Sequence, residues 1–192
     1  DSIYSQTFNN FEVIVIDDAS EDNTLLILEE YKIKHGLEYS VNKENLGVTK
    51  TFEKAILLCS GEFIVLSDQD DIWKYKKISI LLKNIGNSSL IYSNAEIIDE
   101  KGYSKGSTAK DCYHLFSLDS SDKNFYKYIV LNSFILGCTM MFKADLLNGI
   151  KIFKTDRNHD WFIAYLAHQN KGITYIDEKL ISSSFKSKIF KD

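Results

Sequence analysis

The 192-residue sequence has no proline, a feature for which the residues offer no physical reason, and only three cysteines. Cys59, Cys112 and Cys138 are odd in number and widely spaced, which excludes a disulfide framework and a CxxC metal site and fits a reducing compartment. No apolar run reaches the roughly 18 residues needed to span a bilayer. The longest candidate, Tyr128 to Phe142, is interrupted by Asn132, Ser133 and Thr139, and no signal peptide is visible. Basic excess is also missing. A formal charge of -4 leaves no field to hold nucleic acid. The segment Phe185 to Lys191 carries Lys186, Lys188 and Lys191, and reads as a solvated end or a contact for an anionic surface. There is no GxGxxG and no GxxxxGK[ST] loop, so neither a standard dinucleotide site nor a P-loop is available.

What is present is ordinary in bulk. Apolar residues make up 44% and charged residues 26%, the balance of a soluble globular chain, which excludes disordered, collagen-like and coiled-coil classes. The length suits one core, so residues 1–192 read as a single domain.

The order of elements predicts an α/β fold. Phe11 to Ile16 is a nearly continuous β-branched run ending at Asp17 and Asp18, as expected of a central parallel strand covered on both faces. Ser20 to Asn23 offers capping groups, and Leu25, Leu26, Leu28 and Tyr31 recur at helical spacing until Gly36. A strand over Glu38 to Val41, a turn at Asn45 to Gly47 and a helix from about Thr49 to Cys59 follow. Glu62 to Leu66 supplies a second buried strand that runs directly into Ser67, Asp68, Gln69, Asp70 and Asp71. Beyond it the pattern predicts a helix over Ile72 to Asn84, a strand over Leu90 to Ile98 and a polar, mobile loop over Asp99 to Asp111. It continues with a helix over Asn124 to Asn132, a strand over Gly137 to Phe142, a helix over Trp161 to Asn170 and a closing strand over Ile173 to Ile176.

Three carboxylates within four positions repel one another unless water or a cation screens them. Mg²⁺ or Mn²⁺ takes one or two carboxylates and completes its shell with water and phosphate oxygens, so Asp68 to Asp71 at a strand end is a candidate metal site or a solvated acidic turn. Asp17 and Asp18 end another buried strand, and the C-terminal edge of such a sheet is where α/β ligands bind. A carboxylate there can accept hydrogen bonds from a base edge or ribose hydroxyls; the alternative for one of the two is a structural cap, Asp18 closing the local turn through Asp22. Asp160, at a predicted helix start, is a helix cap or a base. His35, His114 and His168 have no ligand spacing.

The run Ser67-Asp68-Gln69-Asp70-Asp71-Ile72-Trp73, with Ser2 to Thr7, Phe11 to Ser20, Asn45 to Ala55, Gly137 to Phe142 and Asn158 to Phe162 in order, resembles family 2 glycosyltransferases, in the rhamnosyltransferase-like subgroup with that acidic motif. The resemblance implies a GT-A fold: a mixed, mostly parallel central sheet flanked by helices, with Ser2 to Thr7 as the family's first helix. It also implies a UDP- or dTDP-linked sugar donor and inversion at the anomeric carbon. Asp17, Asp18, Asn45, Lys50 and Asp68 would lie at the nucleotide, Asp68 and Asp70 on Mg²⁺ or Mn²⁺, and Asp160 would be the base. Asp71, Trp73, Gly137, His159 and Trp161 would contact or support the acceptor, a surface-polysaccharide or lipid-linked glycan. The expected place of work is the cytoplasm, including peripheral association with the inner face of the membrane. The family's first strand is absent ahead of Ser2, and Ser182 to Ser187 replaces a basic C-terminal segment, so the domain reads as incomplete at both ends. Two other classes stay open: a non-catalytic nucleotide- or glycan-binding module, and a nucleotidyltransferase, which the lack of a basic phosphate loop disfavours.

Overall fold

The structure, a computed structural model, describes residues 1–112, 125–131, 135–148 and 158–184. His114 and the lysine-bearing 185–191 segment lie outside them. In chain order the elements are β1 (Ile14–Asp17), α1 (Thr24–His35), β2 (Glu38–Val41), α2 (Val48–Leu58), β3 (Phe63–Val65), β4 (Ile72–Trp73) and α3 (Lys77–Asn84). Then come β5 (Leu90–Ile98), β6 (Ser104–Thr108), α4 (Ala109–Cys112), α5 (Phe125–Leu131), β7 (Met140–Lys143), α6 (His159–Gln169) and β8 (Ile173–Ser183).

The strands form two sheets. One is the parallel pair β1–β2, and the other runs β3-β7-β5-β8-β4 with β6 added on β5. β5 is the centre of the larger sheet, and its Leu90, Ile91, Tyr92 and Ala95 have no exposed surface. They pack with Leu81, Met140, Phe142, Ile163 and Ile181, so strands from both halves of the chain and helices α3 and α6 share one core. Each such aliphatic side chain contributes about 1.5–3 kcal/mol by leaving water.

The expected α/β class and mixed sheet are observed, with four departures. Among the described residues only β1–β2 and β5–β8 pair in parallel, whereas β3–β7, β4–β8, β5–β6 and β5–β7 are antiparallel. The parallel share is therefore smaller than expected, and β1 pairs with β2 alone rather than lying centrally. The helix expected from Ile72 begins at Lys77, because Ile72 and Trp73 pair with Ser182 and Ile181 of β8. The polar Asp99 to Asp111 stretch carries β6 and most of α4 rather than a plain loop. The Asp99 side chain accepts the Lys101 and Tyr103 N–H groups at 2.9 Å each, closing a turn that returns β6 onto β5. β8 runs on to Ser183, past a charged Asp177–Lys179 segment that masks its periodicity.

Ser2 to Gln6 forms turns rather than a regular helix, and it serves the motif that follows β3. Ser2 Oγ accepts the Trp73 N–H at 3.1 Å. The buried Gln6 donates to the Lys74 carbonyl at 2.9 Å and accepts the Ile78 N–H at 3.2 Å, satisfying a first-turn donor of α3 from outside the helix. Helix α1 forms where its periodicity predicts, and Gly36 ends it in the left-handed region at φ 70°. None of its residues is buried; Leu26 and Ile33 remain 72% and 81% exposed, so its apolar spacing does not mark a core face here.

Candidate functional site

β3 leads out of the core through the buried Leu66 into the acidic loop. The Asp68 N–H donates to Asp71 Oδ2 at 2.7 Å, and the Asp71 N–H faces the Asp68 carbonyl at 3.4 Å, which folds the four residues into a tight turn. Partial burial, then the neighbouring charges of Asp71, Asp70 and Asp160, push the Asp68 carboxyl up to about 6. Asp71 is raised as well, chiefly by burial. Its Oδ1 is buried without a hydrogen-bond partner. Crowded carboxylates with raised affinity for protons and an orphaned oxygen are what a divalent cation relieves.

Ligand atoms of Asp68, Asp71 and Cys138 lie within 4.8 Å of one another. The oxygens suit Mg²⁺ or Mn²⁺, whereas burial lifts the Cys138 thiol well above its ordinary range and keeps it protonated. Asp70 turns outward instead. Its Oδ2 accepts the hydroxyl of Ser184, just past β8, while the neighbouring Ser183 draws the Asp71 carboxyl down. Of the pair expected on the metal, the structure groups Asp68 with Asp71 rather than with Asp70.

Opposite the loop stands the start of α6. Asn158 occupies the cap position without a side-chain bond, and Asp160 lies in the first turn with Oδ1 accepting the Trp161 N–H at 2.7 Å. Its charge is one of those that raise Asp68, so the two carboxylates share a field. A methyl group at Gly137 would lie 3.3 Å from His159 Nε2 and 3.6 Å from both the Asp160 Cβ and the Leu66 Cδ1. Gly137 is thus the gap through which the end of β3 and the start of α6 approach each other. His159 is buried, stacks on Phe52 at 4.2 Å, and is held neutral with a pKa pushed down to about 4.

The two tryptophans serve packing. Trp73 is buried with the Lys77 ammonium 3.9 Å from its ring centroid, so that face is taken and sugar stacking there is not supported. Trp161 donates its indole N–H to the Ile129 carbonyl and stacks on Tyr165.

A second group of candidates gathers around the β1 end. Asp17 is buried and its Oδ1 accepts the Ser20 N–H at 3.0 Å, so Asp17 rather than Asp18 holds the local turn. Asp18 accepts the Asn42 amide at 2.7 Å and the Leu46 and Gly47 N–H groups at 2.8 and 2.9 Å. These bonds, the Leu46 N–H first, hold its carboxyl below the usual range. Asn45 donates to the Asp18 carbonyl at 3.4 Å, and Lys50 is exposed in the first turn of α2. Ala19, directly after Asp18, adopts φ 61°, an uncommon conformation for a residue with a Cβ. The Phe52–His159 stack connects this α2 group to α6.

The sequence reading missed Lys77, Cys138, Ser183 and Ser184. Only tertiary contact marks them: a buried lysine in the α3 helical pattern and serines at a strand end carry no motif.

The sequence pattern described as "Glycosyl transferase family 2" matches residues 1–150. The chain belongs to glycosyl transferase family 2. An uncharacterised glycosyltransferase of Rickettsia typhi is 29% identical over 189 residues, 95% of this chain and 57% of the relative. A UDP-Glc:alpha-D-GlcNAc-diphosphoundecaprenol beta-1,3-glucosyltransferase of Escherichia coli is 37% identical over 102 residues, 51% of this chain and 39% of that protein. This family 2 chain thus covers 57% of the first relative's length and 39% of the second's. Among solved structures, Staphylococcus aureus TarS residues 1–349 in complex with UDP superposes with TM-score 0.71 at 21% identity, covering 95% of this chain and 54% of that one. The mannosyltransferase of Pyrobaculum calidifontis in complex with GDP-Man and Mn²⁺ gives TM-score 0.71 at 18% identity, covering 98% and 52%. The fold of this family 2 chain is accordingly of the GT-A type.

Proposed function

We propose that this domain, residues 1–192, transfers a sugar from a UDP- or dTDP-linked donor to a hydroxyl of a surface-polysaccharide or lipid-linked glycan, with inversion at the anomeric carbon. The observation that carries the reading is the convergence of Asp68, the orphaned Asp71 oxygen and Asp160 at the mouth between β3 and α6.

In this reading the acidic loop holds Mg²⁺ or Mn²⁺ through Asp68, with Asp71 or Asp70 as its companion. The cation supplies charge stabilisation for the departing diphosphate. Asp160 accepts the proton of the acceptor hydroxyl as the new bond forms, which requires an approach within about 2.6–3.2 Å. Asp17, Asp18, Asn45 and Lys50 form the nucleotide side: Asp18 shapes the Asn42–Gly47 loop, and Lys50 offers a cation for phosphate. His159, Gly137 and Trp161 place Asp160, and Trp73 supports the acidic loop from below.

The UDP of one structural neighbour, the GDP-Man and Mn²⁺ of the other and the diphosphoundecaprenol acceptor of the E. coli relative support this choice of donor, cation and acceptor class. The subgroup motif at Ser67 to Trp73 favours a rhamnosyl donor within that class. A lipid-linked acceptor places the work at the cytoplasmic face of a membrane. Peripheral association is our reading there; among the described residues no helix is long and apolar enough to cross a membrane.

Calorimetric titration with UDP, dTDP and GDP, with and without Mn²⁺, tests the reading. Metal-dependent binding of one nucleotide is expected, and Asp160→Asn should keep that binding while removing transfer. No binding under any condition rejects the reading.

A further inference from the structure

Lys77 is fully buried, and no sequence motif accounts for it. It begins α3, just past the acidic loop. Its Nζ donates to the Cys138 carbonyl at 2.7 Å and rests 3.9 Å from the centroid of the Trp73 ring. Cys138 belongs to the 3₁₀ turn Gly137–Thr139, the same turn that abuts His159 and Asp160. One side chain therefore joins Trp73, which follows the acidic loop, to the turn on the α6 side of the site. An ammonium taken out of water costs several kcal/mol unless opposite charge and hydrogen bonds replace the lost hydration. One carbonyl and one aromatic face replace only part of it. Cys138, whose carbonyl holds the ammonium, also brings its Sγ within 4.8 Å of ligand oxygens of Asp68 and Asp71. The two carboxylates are thus close enough for their charge to compensate Lys77 without a direct ion pair.

We propose that Lys77 is a positioning residue that acts as the built-in counter-cation of the acidic loop, holding it in place before metal arrives and weakening the divalent-cation affinity of Asp68 and Asp71. This rests on the reading of the loop as a cation site. The ammonium supplies one positive charge beneath the carboxylates at all times. A second cation entering from the outer side meets both their attraction and its repulsion. Binding is then moderate, and the loop keeps its shape when the cation is absent. Burial draws the Lys77 pKa down only to about 8, so the side chain carries its charge at neutral pH.

The test is Mn²⁺ binding, followed by electron paramagnetic resonance and calorimetry at about neutral pH, on the unmodified protein and on Lys77→Met, Lys77→Gln and Lys77→Arg. A unit charge acting on a divalent cation a few ångströms away in a partly wet site is worth about tenfold in affinity. The Met and Gln variants are therefore expected to bind Mn²⁺ about tenfold more tightly, and Arg to bind as the unmodified protein does. A merely structural lysine predicts the opposite sign, since a loosened loop binds more weakly. Equal or weaker binding by a folded neutral variant overturns the proposal. Binding by the neutral variants but not by the unmodified protein supports it. If no form binds Mn²⁺, the cation-site reading falls and this proposal with it. Should neither neutral variant fold, the ¹⁵N resonance of the Lys77 ammonium in the unmodified protein decides: a shift on addition of Mg²⁺ is expected, and no shift under saturating Mg²⁺ overturns the proposal.

Discussion

The Gly47 N–H donates to Asp18 Oδ2 at 2.9 Å, joining the end of β1 to the start of α2. The bond depends on a backbone that only glycine adopts readily: Gly47 has φ 82° and ψ 160°. The acid and the glycine are 29 positions apart, and each makes sense only in view of the other.

Gly47→Ala is expected to cost about 1–3 kcal/mol, because the added Cβ is strained at this φ and ψ even though the space around it is open. Urea melts measure the loss. Nucleotide affinity should fall with it, since the Asn42–Gly47 loop is the same one that Asp18 shapes; an unchanged melt and unchanged affinity reject the linkage.

Gly137→Ala tests the close approach of β3 and α6. The new methyl would come within 3.3 Å of His159 Nε2, so the imidazole or the turn must give by a few tenths of an ångström. A cost of about 1 kcal/mol is expected from this crowding. The distinguishing readout is transfer: kcat should drop more than the affinity for donor, because Asp160 moves with His159.

His159 makes stability depend on pH in a definite direction. Its pKa is about 4 in the folded chain against 6.5 when free, so the unfolded state takes up a proton that the folded state refuses. Its contribution is complete above the free value and is lost as pH falls from there toward the folded value. Between about pH 7.5 and about pH 5 the loss amounts to about 2 kcal/mol. His159→Phe keeps a ring against Phe52 and should lose less stability than the unmodified protein over that interval, by about this amount.

Asp68 acts with the opposite sign. A carboxyl raised to about 6 makes the metal-free fold bind protons more readily than the unfolded chain does, so its contribution to metal-free stability declines as pH rises through the interval from 3.8 to about 6. A cation must displace that proton. Mn²⁺ affinity should be level between about pH 6.5 and about pH 7, short of the Lys77 titration near 8, and fall by up to about tenfold per unit below pH 6. Asp68→Asn should bind weakly and lack this inflection.

The elements legible in the sequence are those whose residues decide their own state. The β-branched run before Asp17 and the helical spacing closed by Gly36 were readable from local propensity, and the run of β5 from propensity and burial together. β4 was not. Ile72 and Trp73 continue into helix-favouring sequence, and only the distant Ser182 and Ile181, together with the Ser2 hydroxyl, hold them extended. β6 was hidden for a related reason: Ser104–Thr108 has no apolar alternation and becomes a strand by pairing with an already buried neighbour.

For the site, the sequence by itself determined where the acids cluster and that their charges need screening. Carboxylates crowded at the end of a buried strand announce a cation or a strained loop wherever they occur, because their mutual repulsion is a property of spacing alone. Which oxygen is left without a partner, which acid turns to Ser184 and which lysine is buried nearby were settled by the tertiary structure. Asp71 Oδ1, the Ser184–Asp70 contact and the Lys77–Cys138 bond each join segments far apart in the chain. Burial and hydrogen-bond geometry exist only once those segments have packed, and they give chemically identical aspartates different roles.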